Sequence, residues 1–205
     1  MSRAALRDGV VLPVRDLARW WVRGLAHPAA VMRALPDAGW PRAGMVAVVT
    51  RFTVQDLVET LPLALLGRRP FISAKLPIRP ERYYRAQLVF LPVFGMGQWL
   101  LMGSAVHGLL RLTGGRSDLS RVLDVLGVGM LIPMPPLWVC DAALIAADRF
   151  RLPELAFVNP TVQLWETALF GIGLHTVLGV SWRRAMLAGA AASVIYVLGA
   201  SRFLR

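Results

Sequence analysis

The chain has 205 residues, 56% of them hydrophobic and 17% charged, with a formal charge of +11. Together with a mean hydropathy of +0.55, that length leaves room for one domain and excludes a separate soluble domain beside the apolar second half. One cysteine, Cys140, excludes an intrachain disulfide and a cysteine-based metal cluster.

So large a positive charge points to nucleic acid or to anionic lipid. Lipid fits better, and no nucleic-acid partner is expected. The arginines gather on an amphipathic front end and at the ends of apolar stretches, where head groups lie, instead of interleaving with aromatics on a binding platform. Every basic residue except Lys75 is arginine, and with abundant Ala, Gly and Leu this composition suggests a GC-rich bacterial genome.

Residues 1–43 read as an amphipathic interfacial region. Leu17, Trp20, Trp21, Gly24 and Leu25 fall on one helical face, while Arg15, Arg19 and Arg23 repeat every four residues on another. Such a helix suits the head-group plane and contact with anionic lipid; the alternative is a helix packed on the rest of the protein. No stretch here reads as a cleaved signal peptide. Pro28 opens a second short helix, Ala29 to Leu35, and Pro36 closes it.

Residues 44–87 combine a charged helix with a basic loop. Met45 to Leu66 is span-length, yet Arg51, Asp56 and Glu59 each cost roughly 2.5–3.5 kcal/mol at the centre of a spanning helix. The expectation is an amphipathic helix started by Thr53, with Asp56 completing a capping box; an extra span is the alternative. Gly67 to Gln87 is a proline-punctuated basic loop, and Tyr83 and Tyr84 sit where an aromatic belt would flank the next segment.

Residues 88–205 hold four stretches near the roughly 20 residues a span needs: Leu88 to Leu110, Val122 to Ala146, Val162 to Val180 and Ala185 to Phe203. Helix-entry signals precede the later ones, with Ser117 before Asp118, Asn159 with Pro160, and Ser181 before Trp182. The fold class is therefore all-α, a polytopic transmembrane helical bundle with N-terminal amphipathic interfacial helices. Basic residues concentrate in 67–87, in 148–161 and at the C-terminus, which assigns those segments to the cytoplasmic side of the inner membrane.

Pro133, Pro135 and Pro136 must break the second of these spans near its middle, and broken helices at membrane depth can build transport sites. The alternative is a packed kink. Asp124, Asp141, His107, His175 and Glu166 are the ionisable groups within the spans, and such groups usually face a bundle interior or water. Asp124 and Glu166 lie near span ends, and interhelical polar contact is the simplest reading for each. No metal-ligand spacing is present and no cofactor is expected. Ala185, Gly189 and Ser193 form a small-residue stripe at i, i+4, i+8 that suits close helix packing, within the bundle or between two copies.

Three segments resemble the bacterial Yip1-domain membrane proteins. "HPAAVMRAL" (His27 to Leu35) is similar to the family's N-terminal Pro-x-x-x-x-Arg-x-Leu entry, "LTGGRSDLSRVLDVLGVGMLIPM" (Leu112 to Met134) to its Gly-Gly-basic loop and proline-broken span, and "SWRRAMLAGAA" (Ser181 to Ala191) to the basic turn that opens its last span. The resemblance implies five spans, from which the charged Met45 to Leu66 departs, and no agreed biochemical activity. The functional expectation is a non-enzymatic structural or membrane-organising protein, with a homo-oligomer or another membrane protein as partner. A small transporter built on the broken span is the runner-up, and a membrane enzyme the third reading.

Overall fold

Apolar periodicity broken by proline and glycine divides the chain into rods, and all regular structure among the described residues is helical. The computed structural model describes residues 21–35, 41–70, 76–115 and 117–203. Residues 21–26 are helical, followed by α1 (Pro28–Arg33), α2 (Arg42–Gln55), a π-helical stretch (Asp56–Thr60), α3 (Leu61–Leu65), α4 (Tyr83–Leu112), α5 (Leu119–Leu131), α6 (Met134–Ala146), α7 (Leu152–Leu178) and α8 (Trp182–Phe203).

Thr53 and Asp56 start no helix. The helix opens just after Pro41, and α2, the π-helical stretch and α3 run on as one rod from Arg42 to Leu65. The wide turns have a local cause: Pro62 cannot donate to the carbonyl four residues back and its ring crowds that carbonyl, and the rod responds with an Asp56 carbonyl that accepts from Leu61 five residues on. At 1.5 Å per residue the rod is roughly 36 Å long, comparable with the ~30 Å hydrocarbon thickness of a bilayer.

This rod is inside out for an amphipathic helix in water. Arg51, Asp56 and Thr60 are buried in the bundle, whereas Leu57 and Leu65 are 59% and 78% exposed. Polar-in, apolar-out is the arrangement that suits a lipid surround. The rod also runs end to end along the bundle. Near its start Gly44 is bonded to Asp124 in the second turn of α5, and beyond its far end Arg68 is ion-paired with Asp148, just past α6.

Three helices are long and apolar enough to cross a membrane among the described residues: Pro80–Leu112, Leu119–Ala146 and Trp182–Ser201. The second spans α5, the break and α6. The first begins before Leu88, and Tyr83 and Tyr84 lie inside it, 0% and 2% exposed against Leu63, Ala64 and Phe150, instead of facing an interface. Helix α7 is long enough but is not among the three, since Gln163, Glu166 and His175 dilute its apolar stretch; it begins at Leu152, not at Asn159, and carries Pro160 internally. The cap of α5 is Asp118, whose carboxylate accepts from the Ser120 amide at 2.8 Å, while Ser117 bonds to His107.

Helix α5 is the centre of the bundle, buried continuously from Val122 to Leu131. It packs against α2, α4 and α7, and α8 packs on α4 and α7. Outward residues such as Val89, Val93, Leu164, Leu187 and Leu198 are large, apolar and exposed, as the lipid-facing surface of a bundle requires.

Candidate functional site

Two glycines let α2 lie directly on α5. A Cβ on Gly127 would stand 2.5 Å from the Gly44 Cα, and one on Gly44 would stand 2.5 Å from the Leu123 carbonyl oxygen, so any side chain at either position would force the helices apart. That approach brings the Gly44 amide, one of the unpaired donors of a helix's first turn, to 2.7 Å from Asp124 Oδ1. Asp124 is 2% exposed. It belongs to this helix contact and not to a solvent-reached span end.

Two turns further along α2, Arg51 joins four helices. Its Nη1 donates to the Met130 carbonyl of α5 at 2.9 Å and to Glu166 Oε1 of α7 at 2.5 Å, and its Nη2 donates to the Tyr196 hydroxyl of α8 at 3.2 Å. The guanidinium carbon lies 5.4 Å from the Phe52 ring centroid and 5.2 Å from that of Tyr196, within cation–π range. Arg51 is 4% exposed and Glu166 1%. Glu166 is thus deep in the bundle, although its place in the sequence suggests access to solvent. Arginine suits this junction because its planar fork serves several acceptors at once and cannot lose its charge.

The Met130 carbonyl is free to accept that donor with its second lone pair. It lies in the last turn of α5, where carbonyls run out of intrahelical partners, and the Ile132–Pro133 turn with Pro135 and Pro136 beyond it supplies few amides. Pro135 and Pro136 fall in the first turn of α6, where a missing amide costs little. The front of the chain covers the break: Gly24 lies against Ile132, and Trp21 meets Trp138 edge to face at 5.6 Å. Trp21 and Gly24 therefore pack on protein; Arg15, Arg19 and Trp20 lie outside the described residues, and Arg23 is exposed.

A second polar group lies where α6 packs on the π-helical stretch. Asp56 and Asp141 are 7% and 4% exposed, and an Oδ1 of each has no hydrogen-bond partner among the described residues. Glu59 accepts from Gln55 at 3.0 Å and feels the charge of Asp141. Among the described residues no cluster of His, Cys, Asp and Glu could hold a metal ion.

The remaining sequence candidates have local partners. His107 Nδ1 is 2.9 Å from Ser117 Oγ, and His175 Nδ1 donates to the Val180 carbonyl at 2.8 Å. Of the small-residue stripe, Ala185 is fully buried, Gly189 lies against Thr167, Phe170 and Gly171, and Ser193 Oγ is 2.6 Å from Thr167 Oγ1. The stripe packs on α7 within one chain. Sequence reasoning missed Arg51 as a partner and read it only as an obstacle to insertion; the available signal was a second buried-length charge of opposite sign, Glu166, in another apolar helix.

A family model described as the Yip1 domain matches residues 23–202. No curated protein and no solved structure is significantly similar to the chain.

Proposed function

We propose that this chain, which belongs to the Yip1 domain family, is a structural or membrane-organising protein of the bacterial inner membrane, without catalysis of its own. One observation carries this reading: the strongest buried polar groups, Arg51, Asp124 and Glu166, are engaged in helix-to-helix bonds instead of lining a hydrated passage. Such bonds favour one packing arrangement and occupy the polar groups that an ion pathway would need. The end carrying Arg68, Arg69, Arg79, Arg82 and Arg85 faces the cytoplasm in this reading, supported by the density of arginine there, and its basic surface meets anionic lipid or partner proteins. Purified protein in sealed vesicles should carry no proton or potassium flux above that of empty vesicles, and sustained flux would overturn the proposal.

The runner-up, a small transporter, draws on a different observation. The unpartnered carboxylate oxygens of Asp56 and Asp141 belong to two packed elements, the π-helical stretch and α6, and buried carboxylates in a broken-helix bundle are where proton or cation handling would be expected in a transporter. Flux lost in Asp141→Asn while the protein stays folded would favour it.

A further inference from the structure

At the end of the bundle where α7 finishes and α8 begins, a groove of about 740 Å³ opens between those helices and α1. Its lining includes the cationic Arg33 and the imidazole of His27 from the front of the chain, and His175 from the last turn of α7. Pro28, Ile172 and Trp182 supply the apolar part of the lining. Among the described residues none that lines the groove is acidic. The next residues of α8 are Arg183 and Arg184, both exposed, and its first turn contains no acid. Among the described residues Arg33, Arg183 and Arg184 have no ion-pair partner.

The level of this groove identifies its occupant. Trp182 is the first residue of an apolar helix long enough to cross a bilayer, so the rim lies at the head-group boundary, where a half-exposed tryptophan is at home. Ile172 lies three residues before His175, roughly one turn deeper along α7, on the acyl-chain side of the rim. We propose that the groove binds an anionic phospholipid, with the phosphate among Arg33, His27 and the Arg183–Arg184 pair, and the start of an acyl chain over Pro28 and Ile172. Charge complementarity excludes the basic front of the chain itself as the occupant, since it would add like charge to the rim. The proposal rests on the reading that the chain spans a bilayer.

Native mass spectrometry of the full chain in mild detergent, with phosphatidylglycerol and phosphatidylcholine supplied in turn, tests it. The wild type should retain phosphatidylglycerol preferentially. With each arginine near a lipid surface contributing about a fivefold step, Arg33→Gln/Arg183→Gln/Arg184→Gln should weaken retention by about a hundredfold. Ala30→Trp, which fills the groove without changing charge, should also weaken it. Unchanged melting in detergent verifies that each variant is folded. Equal retention of the two lipids overturns the proposal, as does a loss in the arginine variant that Ala30→Trp does not share, which would mean diffuse attraction without a site. Displacement of the lipid by millimolar inorganic phosphate would reveal a site for the free ion and overturn the lipid assignment. Extraction of the chain from membranes by alkaline carbonate would instead sink the spanning reading itself, which separates the two failures.

Discussion

Two of the places where the bundle buries charge are built differently. Around Arg51 a cation meets a carboxylate, a carbonyl and a hydroxyl from three other helices. Around Asp56 and Asp141 carboxylates are buried with oxygens that meet no donor among the described residues. The first arrangement ties helices together, with only the Arg51 Nε lacking a partner among the described residues; the second stores unpartnered carboxylate oxygens between α6 and the π-helical stretch. Burial of a charged residue is thus not one phenomenon here, and the partner set distinguishes a fastening from a latent site.

Breaking the fastening should have the largest effect. Arg51→Ala leaves Glu166 buried without a cation and the Met130 carbonyl without its donor, and should cost about 3–5 kcal/mol, read as a large fall in melting temperature in detergent or as loss of the folded species. The double variant Arg51→Met/Glu166→Leu removes both charges and should be markedly more stable than Arg51→Ala alone, because no buried charge remains unpaired. If the single and double variants are equally damaged, shape and not charge holds the junction.

Next in size is the glycine contact that brings α2 to α5. Gly127→Ala puts a methyl group 2.5 Å from Gly44 and should cost at least the ~1–3 kcal/mol typical of overpacking. A wild-type melting curve for this variant would mean that the two helices can part without penalty.

Pro135→Ala/Pro136→Ala should change stability by less than about 1 kcal/mol, since both positions lie in the first turn of α6, where proline acts mainly by restricting the unfolded chain. Complete unfolding of this variant would show that the break is part of the framework.

The smallest effect is expected at the second buried place. Asp141→Asn removes a carboxylate with an unsatisfied oxygen, so stability should stay at the wild-type level or rise slightly. A loss comparable with that of Arg51→Ala would reveal a partner for Asp141 and erase the contrast between the two places.

How much of this was legible beforehand depends on the kind of signal. The apolar stretches of α4, α5 with α6, and α8, the break at Pro133, and the entry of α8 behind Ser181 follow from local chemistry, because each reflects the needs of a single helix in lipid: length, apolarity, and the missing amide of proline. Membership of the Yip1 domain family was legible for the same reason, from local motifs at His27, at Leu112 and at Ser181. The capping box at Thr53 was misleading because the pattern fits many residues that lie inside longer helices, and the tertiary bond from Gly44 to Asp124 satisfies a donor of the true helix start, about three turns earlier.

By itself, then, the sequence determined that this protein is helical, apolar enough for a membrane and interrupted at Pro133, since those properties are sums over neighbouring residues. Only the tertiary structure decided that the charged Arg42–Leu65 rod belongs inside the bundle with Leu57 and Leu65 outward. That outcome depends on Arg51 finding Glu166, which is 115 positions away. The insertion cost of a charge is a property of one residue, whereas the compensation for it is a property of a pair, and a pair this distant is brought together only by the packing of α2, α5, α7 and α8.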